Sequence, residues 1–126
     1  MPKLSSTSAD VQDYGPVEVR EEQMDGYTVN FVTFRESVDH EPLLKGLPDN
    51  RCPCPHWGYV LEGRVTFRFG DHDETFVAGD AFYAPPGHLP VHEPGTRYLQ
   101  FSPSEELQKV SAVIMQNMQA LQGSGG

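Results

Sequence analysis

No stretch of this sequence is apolar for long enough to span a bilayer, and its opening residues, MPKLSSTSAD, lack the apolar core of a secretion signal. The cytoplasm is therefore the expected compartment. Basic residues are scarce: 9 Lys and Arg stand against 18 Asp and Glu, a formal charge of −9. A surface that acidic repels phosphate backbones and anionic lipid, which argues against nucleic acid and membrane partners. Cysteine is limited to Cys52 and Cys54. An extended backbone would hold their α-carbons near the upper limit for a disulfide, and Pro53 stiffens the step, so a metal-bound or free dithiol is expected. The chain has no glycine-rich phosphate loop and no nucleophile elbow, which leaves phosphoryl transfer and serine hydrolysis without support. No internal repeat is present.

What remains is a chain of 126 residues, long enough for one domain with its own core. Residues 1–12 are small and polar without periodicity and read as a disordered tail; residues 122–126, with their GSGG, read as a flexible one. The folded unit is then 13–121. Val17 to Arg20 and Tyr27 to Phe34 are rich in strand formers and flank the turn signal Asp25-Gly26, which predicts a hairpin. A polar loop from Glu36 to Asn50 follows. Short strands come next in quick order: His56 to Leu61, Arg64 to Phe69, Thr75 to Val77, Ala81 to Ala84 and Arg97 to Phe101. The turns Glu62-Gly63, Gly70 to Glu74, Ala78-Gly79-Asp80 and Pro85-Pro86-Gly87 separate them. Short strands at regular spacing without intervening helices indicate an all-β sandwich or closed barrel.

One helix is expected at the C-terminal end. Ser102 is placed to cap it, with Pro103 in the first turn and Glu105 able to reach back. Leu107, Val110, Ile114, Met118 and Leu121 then recur at helical spacing as an apolar stripe, with Val113 beside it. Such a stripe packs against the barrel or a partner subunit, and a homodimer is expected. Met115 and Met118 read as packing residues.

The run Arg51 to Gly63, RCPCPHWGYVLEG, is the most informative segment. Cys52, Cys54 and His56 stand at alternate positions, and in an extended chain alternate side chains leave by one face. Three metal-capable groups would then converge. Trp57 falls on the opposite face and reads as a core or subunit-contact aromatic. His88, after the proline-glycine corner, is the expected ligand from the other side, with His92 able to replace it or to act as an outer hydrogen-bonding or acid–base group. His40 and His72 sit among acidic neighbours and read as solvated. The cluster Asp71, Asp73, Glu74 lacks the spacing of a calcium loop and reads as a solvated turn.

GYVLEG (Gly58 to Gly63) resembles the end of the first sequence motif of the cupin family. GDAFYAPPG (Gly79 to Gly87) resembles the second, with Gly79, Pro85 and Gly87 at matching spacing. The resemblance covers roughly residues 50 to 101. It implies a cupin-type barrel, a double-stranded β-helix or jelly roll, with the C-terminal helix added. Cupins typically supply two histidines and a glutamate from the first motif and one histidine from the second. Matching Gly63 to the closing glycine puts Asn50, Cys52 and His56 at the first three positions and Pro90 at the fourth. Glu62 is then a turn residue.

The ligand set looks rewritten toward sulfur: Cys52, Cys54, His56 and His88. Two thiolates and two imidazoles favour zinc, with iron, copper and nickel compatible with the same donors. Three expectations follow. The first is a metal-dependent enzyme acting on a small organic molecule, of oxygenase, isomerase, lyase or hydrolase type. The second is a closed, structural zinc site in a binding barrel, and the third a barrel whose thiols sense oxidation.

Overall fold

The alternation of apolar and polar side chains decides which side of each strand faces inward, and the turns decide where one strand hands over to the next. The computed structural model describes residues 3–7, 11–38 and 40–124. Its strands are β1 (Gln12–Asp13), β2 (Val17–Met24), β3 (Tyr27–Phe34), β4 (His56–Glu62), β5 (Arg64–Arg68), β6 (Asp73–Val77), β7 (Ala81–Ala84), β8 (Leu89–His92) and β9 (Arg97–Pro103). The helix α1 spans Ser104–Ser124. One antiparallel sheet has the order β1-β2-β3-β9-β4-β7 and the other β6-β5-β8.

Inward side chains from both sheets meet in the main core: Val32, Phe34, Val60, Val65, Phe67, Phe82, Ala84 and Tyr98. In β5, Val65 and Phe67 are buried and Arg64 and Arg68 exposed. A smaller core lies at one end of the barrel, where Leu44, Cys52, Cys54 and Val110 are buried with Leu107 and Ile114 packed against them. The helical stripe therefore covers its own barrel. The Asn117 side-chain amide reinforces this, donating to the carbonyls of Leu43 and Lys45 at 2.7 and 2.9 Å. Met115 departs from the packing expectation and is exposed. The side chain of Leu121 lies outside the described residues.

Four local readings are corrected. The strand β8 was not foreseen, because HLPVH carries a proline. Among the described residues β8 pairs with β5 alone and forms a sheet edge, where a residue without an N–H is tolerated. The helix begins at Ser104, two residues after the expected cap, because β9 continues to Pro103 between β3 and β4. The expected disordered tail ends early: Gln12 and Asp13 pair with β2, and Arg35 holds Asp13 at 2.7 Å and Glu18 at 2.6 Å. The helix also runs through Ser124 into the segment expected to be flexible. Residues 1, 2, 8–10, 125 and 126 of the expected tails lie outside the described residues.

Gly58, at the centre of the sheet, has no room for a side chain. A methyl group there would stand 2.5 Å from the Leu99 carbonyl oxygen of β9 and closer still to the Phe82 ring of β7. Gly58→Ala is expected to destabilise the fold by about 1–3 kcal/mol and to lower the urea midpoint clearly. Gly70→Ala, which meets nothing within 4 Å among the described residues, should leave the midpoint nearly unchanged. Equal midpoints for the two variants would show that the sheet yields at Gly58.

Candidate metal centre

The site begins with a backbone contact. The Cys52 N–H donates to the His88 carbonyl at 2.9 Å and the Gly87 N–H to the Cys52 carbonyl at 2.8 Å, an isolated antiparallel bridge between Cys52 and His88. This sets the two side chains next to each other although 36 positions separate them. Between Cys52 and His56 the chain leaves strand geometry, with Pro53 and Pro55 in irregular backbone, and resumes it at His56. Among the described residues, Cys52, His56 and His88 form the group whose ligand atoms all lie within 4.8 Å of one another, and all three are buried. The Cys52 Sγ stands 3.7 Å from His56 Nε2. Bond lengths of about 2.3 Å to sulfur and 2.1 Å to nitrogen at a tetrahedral angle require a sulfur–nitrogen edge of about 3.6 Å. The Cys52–His56 pair is therefore already spaced as an edge of a tetrahedral site, and His88 lies within 4.8 Å of both.

Hydrogen bonds orient both imidazoles. His88 Nδ1 lies 2.8 Å from the Pro85 carbonyl oxygen, which only accepts, so Nδ1 carries the proton and Nε2 keeps its lone pair. His56 Nδ1 lies 2.6 Å from the Ser102 Oγ. A proton on Nδ1, donated to that hydroxyl, leaves Nε2 as the lone-pair nitrogen facing Cys52. Sequence reasoning missed Ser102 as a partner of the site. Its position on the inward face of β9 follows from strand register, which the local pattern Ser-Pro-x-Glu does not reveal.

Electrostatics agree with this assignment. Burial, then the neighbouring His88, lowers the His56 pKa to about 3. Burial also lowers that of His88, opposed by its bond to Pro85. Both rings are neutral at pH 7, the state that ligates metal. Burial pushes the Cys52 thiol up to about 11, against the effect of its contact with the Cys54 backbone. A metal must therefore displace one proton from Cys52.

The remaining candidates are placed as follows. Cys54 is fully buried but lies outside the cluster, its Sγ 3.5 Å from the Pro55 carbonyl oxygen in the core beneath α1. Burial, then the charges of Cys52 and Glu106, raises its thiol to about 12. The irregular backbone at Pro53 and Pro55 breaks the alternation that would have put Cys54 beside Cys52 and His56. Asn50 is exposed, and its Oδ1 accepts from the Gly46 N–H at 3.1 Å. Pro90 lies on the inward face of β8 between His88 and His92. Trp57 is on the outer face, in contact with Tyr27 and Tyr83 rather than the core. His72 is exposed and paired with Asp71 and Glu74, while Glu62 pairs with Arg97 in the turn. His40 is not solvated as expected. Its ring is half-buried against Phe34 and His92.

A cavity of about 130 Å³ reaches the three ligand candidates and is walled by His40, His92 and Tyr98 on the barrel side and by Leu107, Val110 and Ile114 of α1. A larger depression of about 510 Å³, lined by Glu41, Lys45, Asp49 and Arg51, lies outside the site.

No family model matches the chain, and no curated protein matches it. Solved structures do. The structure of KdgF from a Halomonas species aligns with a TM-score of 0.55 at 20% identity, over 82% of this chain and 94% of that one. An RmlC-like cupin from Shewanella frigidimarina NCIMB 400 aligns with a TM-score of 0.54 at 18% identity, over 79% and 93%. The fold is a cupin barrel. A cupin superfamily protein from Desulfitobacterium hafniense DCB-2 agrees, with a TM-score of 0.51 at 17% identity over 71% and 78%. These likenesses describe the barrel. What this cupin fold holds in its interior is decided by its own side chains.

Buried neutral imidazoles give the metal-free fold a definite pH dependence. His56, His88 and His92 all have depressed pKa values, whereas the unfolded chain titrates near ~6.5. Below that value the unfolded chain binds more protons, so stability falls as pH falls, by up to about 1.4 kcal/mol per pH unit for each ring. For His56 the loss continues to about pH 3. Urea unfolding in the presence of a chelator should show a much lower midpoint at pH 4.5 than at pH 7.5. A flat midpoint would mean that these rings are not held neutral.

Proposed function

We propose that this cupin barrel binds one transition metal, most favourably zinc, through Cys52, His56 and His88, and acts as a metal-dependent enzyme on a small organic molecule. The observation that carries this reading is the buried three-donor cluster, with 3.7 Å between Cys52 Sγ and His56 Nε2 and with Nδ1 of both histidines engaged elsewhere. One sulfur and two nitrogens suit zinc, and iron, copper or nickel would use the same donors. Three protein donors leave a fourth tetrahedral position, and the cavity adjoins the cluster. That arrangement supports an open site over a closed structural one, because Cys54 stands apart. A bound metal would supply Lewis-acid polarisation of a ligand oxygen. The chain's own part is to hold the two imidazoles in their lone-pair forms, to exclude water with Leu107, Val110 and Ile114, and to shape what enters.

The same reading includes a homodimer. The helix stripe is occupied by its own barrel, but the outer face of β3, β9, β4 and β7 exposes Tyr27, Trp57, Tyr59, Tyr83 and Phe101, the kind of apolar area that pairs with a second copy. Light scattering should return a dimer mass for the native chain and a monomer mass for Trp57→Glu. A native monomer across a wide concentration range would overturn this part.

Cobalt(II) is a spectroscopic stand-in for zinc and tests the ligand assignment directly. The loaded chain should show one equivalent of tetrahedral cobalt with a thiolate-to-metal charge-transfer band. Cys52→Ala should abolish that band, and His56→Ala and His88→Ala should lose the metal, while each retains the cooperative unfolding of the metal-free chain, since a domain of this size does not need a metal staple. Ser102→Ala, which removes only the partner of His56, should weaken binding by roughly 10–100-fold. Cys54→Ala should keep both the metal and the band. A band that survives in Cys52→Ala and vanishes in Cys54→Ala would place the sulfur ligand on the wrong cysteine.

A further inference from the structure

His92 is only 3% exposed, and among the described residues neither of its ring nitrogens has a hydrogen-bond partner. The ring lies parallel to Phe34 at 3.7 Å and 13° and to Tyr98 at 5.5 Å and 12°. Phe34 thus covers one face, while Tyr98, 6.1 Å from Phe34, lies to the side, and the ring nitrogens remain for polar contact. Leaving a buried donor or acceptor unmade is costly, so a chain that buries both nitrogens of one ring has a site that something else completes. His92 lines the same cavity as Cys52, His56 and His88.

We propose that His92 anchors the far end of the molecule that this cavity accepts, and that this molecule is a small hydroxy acid whose carboxylate reaches the metal and whose hydroxyl meets the imidazole. The inference rests on the metal reading above and names its ligand class. A neutral imidazole presents one N–H donor and one lone pair, and a hydroxyl group is both acceptor and donor. A divalent ion held by one thiolate and two neutral imidazoles carries a net charge of +1, which a single carboxylate cancels in a low-dielectric pocket. The rest of the lining is mostly apolar, with Leu44, Phe67, Val110 and Ile114 available to a short carbon chain and Gln100 and Tyr98 as further polar groups. The volume of about 130 Å³ is well below the ~300 Å³ at which sites for drug-sized molecules begin, so the acid has only a few carbons.

The test uses the full chain loaded with cobalt(II) and two probes that differ in one group, 3-hydroxypropanoate and propanoate. Both should perturb the cobalt bands, and the native chain should bind the hydroxy acid about tenfold more tightly, the worth of one well-formed hydrogen bond. In His92→Phe, which keeps an aromatic ring against Phe34, that preference should disappear while cobalt uptake is unchanged. Equal binding of the two acids by the native chain, or a preference that persists in His92→Phe, overturns the inference and points to a buried water as the partner of His92. Should His92→Phe fail to fold, the imidazole ¹⁵N resonances of His92 in the native chain decide. Resonances that shift with 3-hydroxypropanoate but not with propanoate support the anchor, and no shift with either overturns it. A chain that takes up no cobalt defeats the metal reading instead, and the same resonances, followed in the metal-free chain, then judge the anchor on its own.

Discussion

Two backbone hydrogen bonds, from the Cys52 N–H to the His88 carbonyl and from the Gly87 N–H to the Cys52 carbonyl, hold the functional end of this barrel together. They join the segment that enters β4 to the corner that leaves β7, two pieces of chain that belong to neither sheet at that point. Gly87 turns the corner with φ at 97°, a conformation open to glycine and strained for other residues. From that bridge follow the pairing of Cys52 with His88, the direction in which β8 sets out along β5, and the small core on which α1 rests. The orientation of the donors is thus fixed by main chain, and the side chains inherit it.

Much of the barrel was legible in the sequence because turn residues and period-two alternation are local signals. The hairpin at Asp25-Gly26 and the strands at Tyr27–Phe34 and Ala81–Ala84 needed no tertiary information. The misplaced features are those in which a distant partner overrules the local pattern. Ser102 has the neighbours of a helix cap, yet pairing of β9 on both sides carries the strand past it and turns the hydroxyl toward His56. His40 has polar neighbours in sequence and aromatic ones in space. Cys54 satisfied the alternation rule on paper, but that rule assumes an unbroken strand, and the chain between Pro53 and Pro55 is not one.

The structure brings together three of the four donors named from the sequence, and local signals account for only part of that. Cys52, His56 and His88 were recognisable as donors by residue type and by their place beside the two motifs. Their convergence depends on the bridge, which no local pattern announces. The groups that tune the donors, Ser102 and the Pro85 carbonyl, carry no signal of their own, since a serine and a main-chain oxygen look alike wherever they occur. His92 could be noticed only as one more histidine after a corner. Its empty hydrogen-bonding edge is a property of three strands packed together, with Phe34 from β3, Tyr98 from β9 and His92 itself from β8.

The central place of β9 ties the chemistry to the counting of residues. β9 is flanked by β3 and β4, and its even-numbered residues Tyr98, Gln100 and Ser102 face the interior while Leu99 and Phe101 face outward. Because a strand repeats every two residues, slipping β9 by a single position would exchange the two sets, bringing Phe101 against His56 and sending the serine to the surface. The turn at 93–96 therefore sets a parity. Gains or losses of length there in steps of two leave the inward set inward, whereas a single added or deleted residue that the turn fails to absorb would dismantle the site without altering any of its ligands.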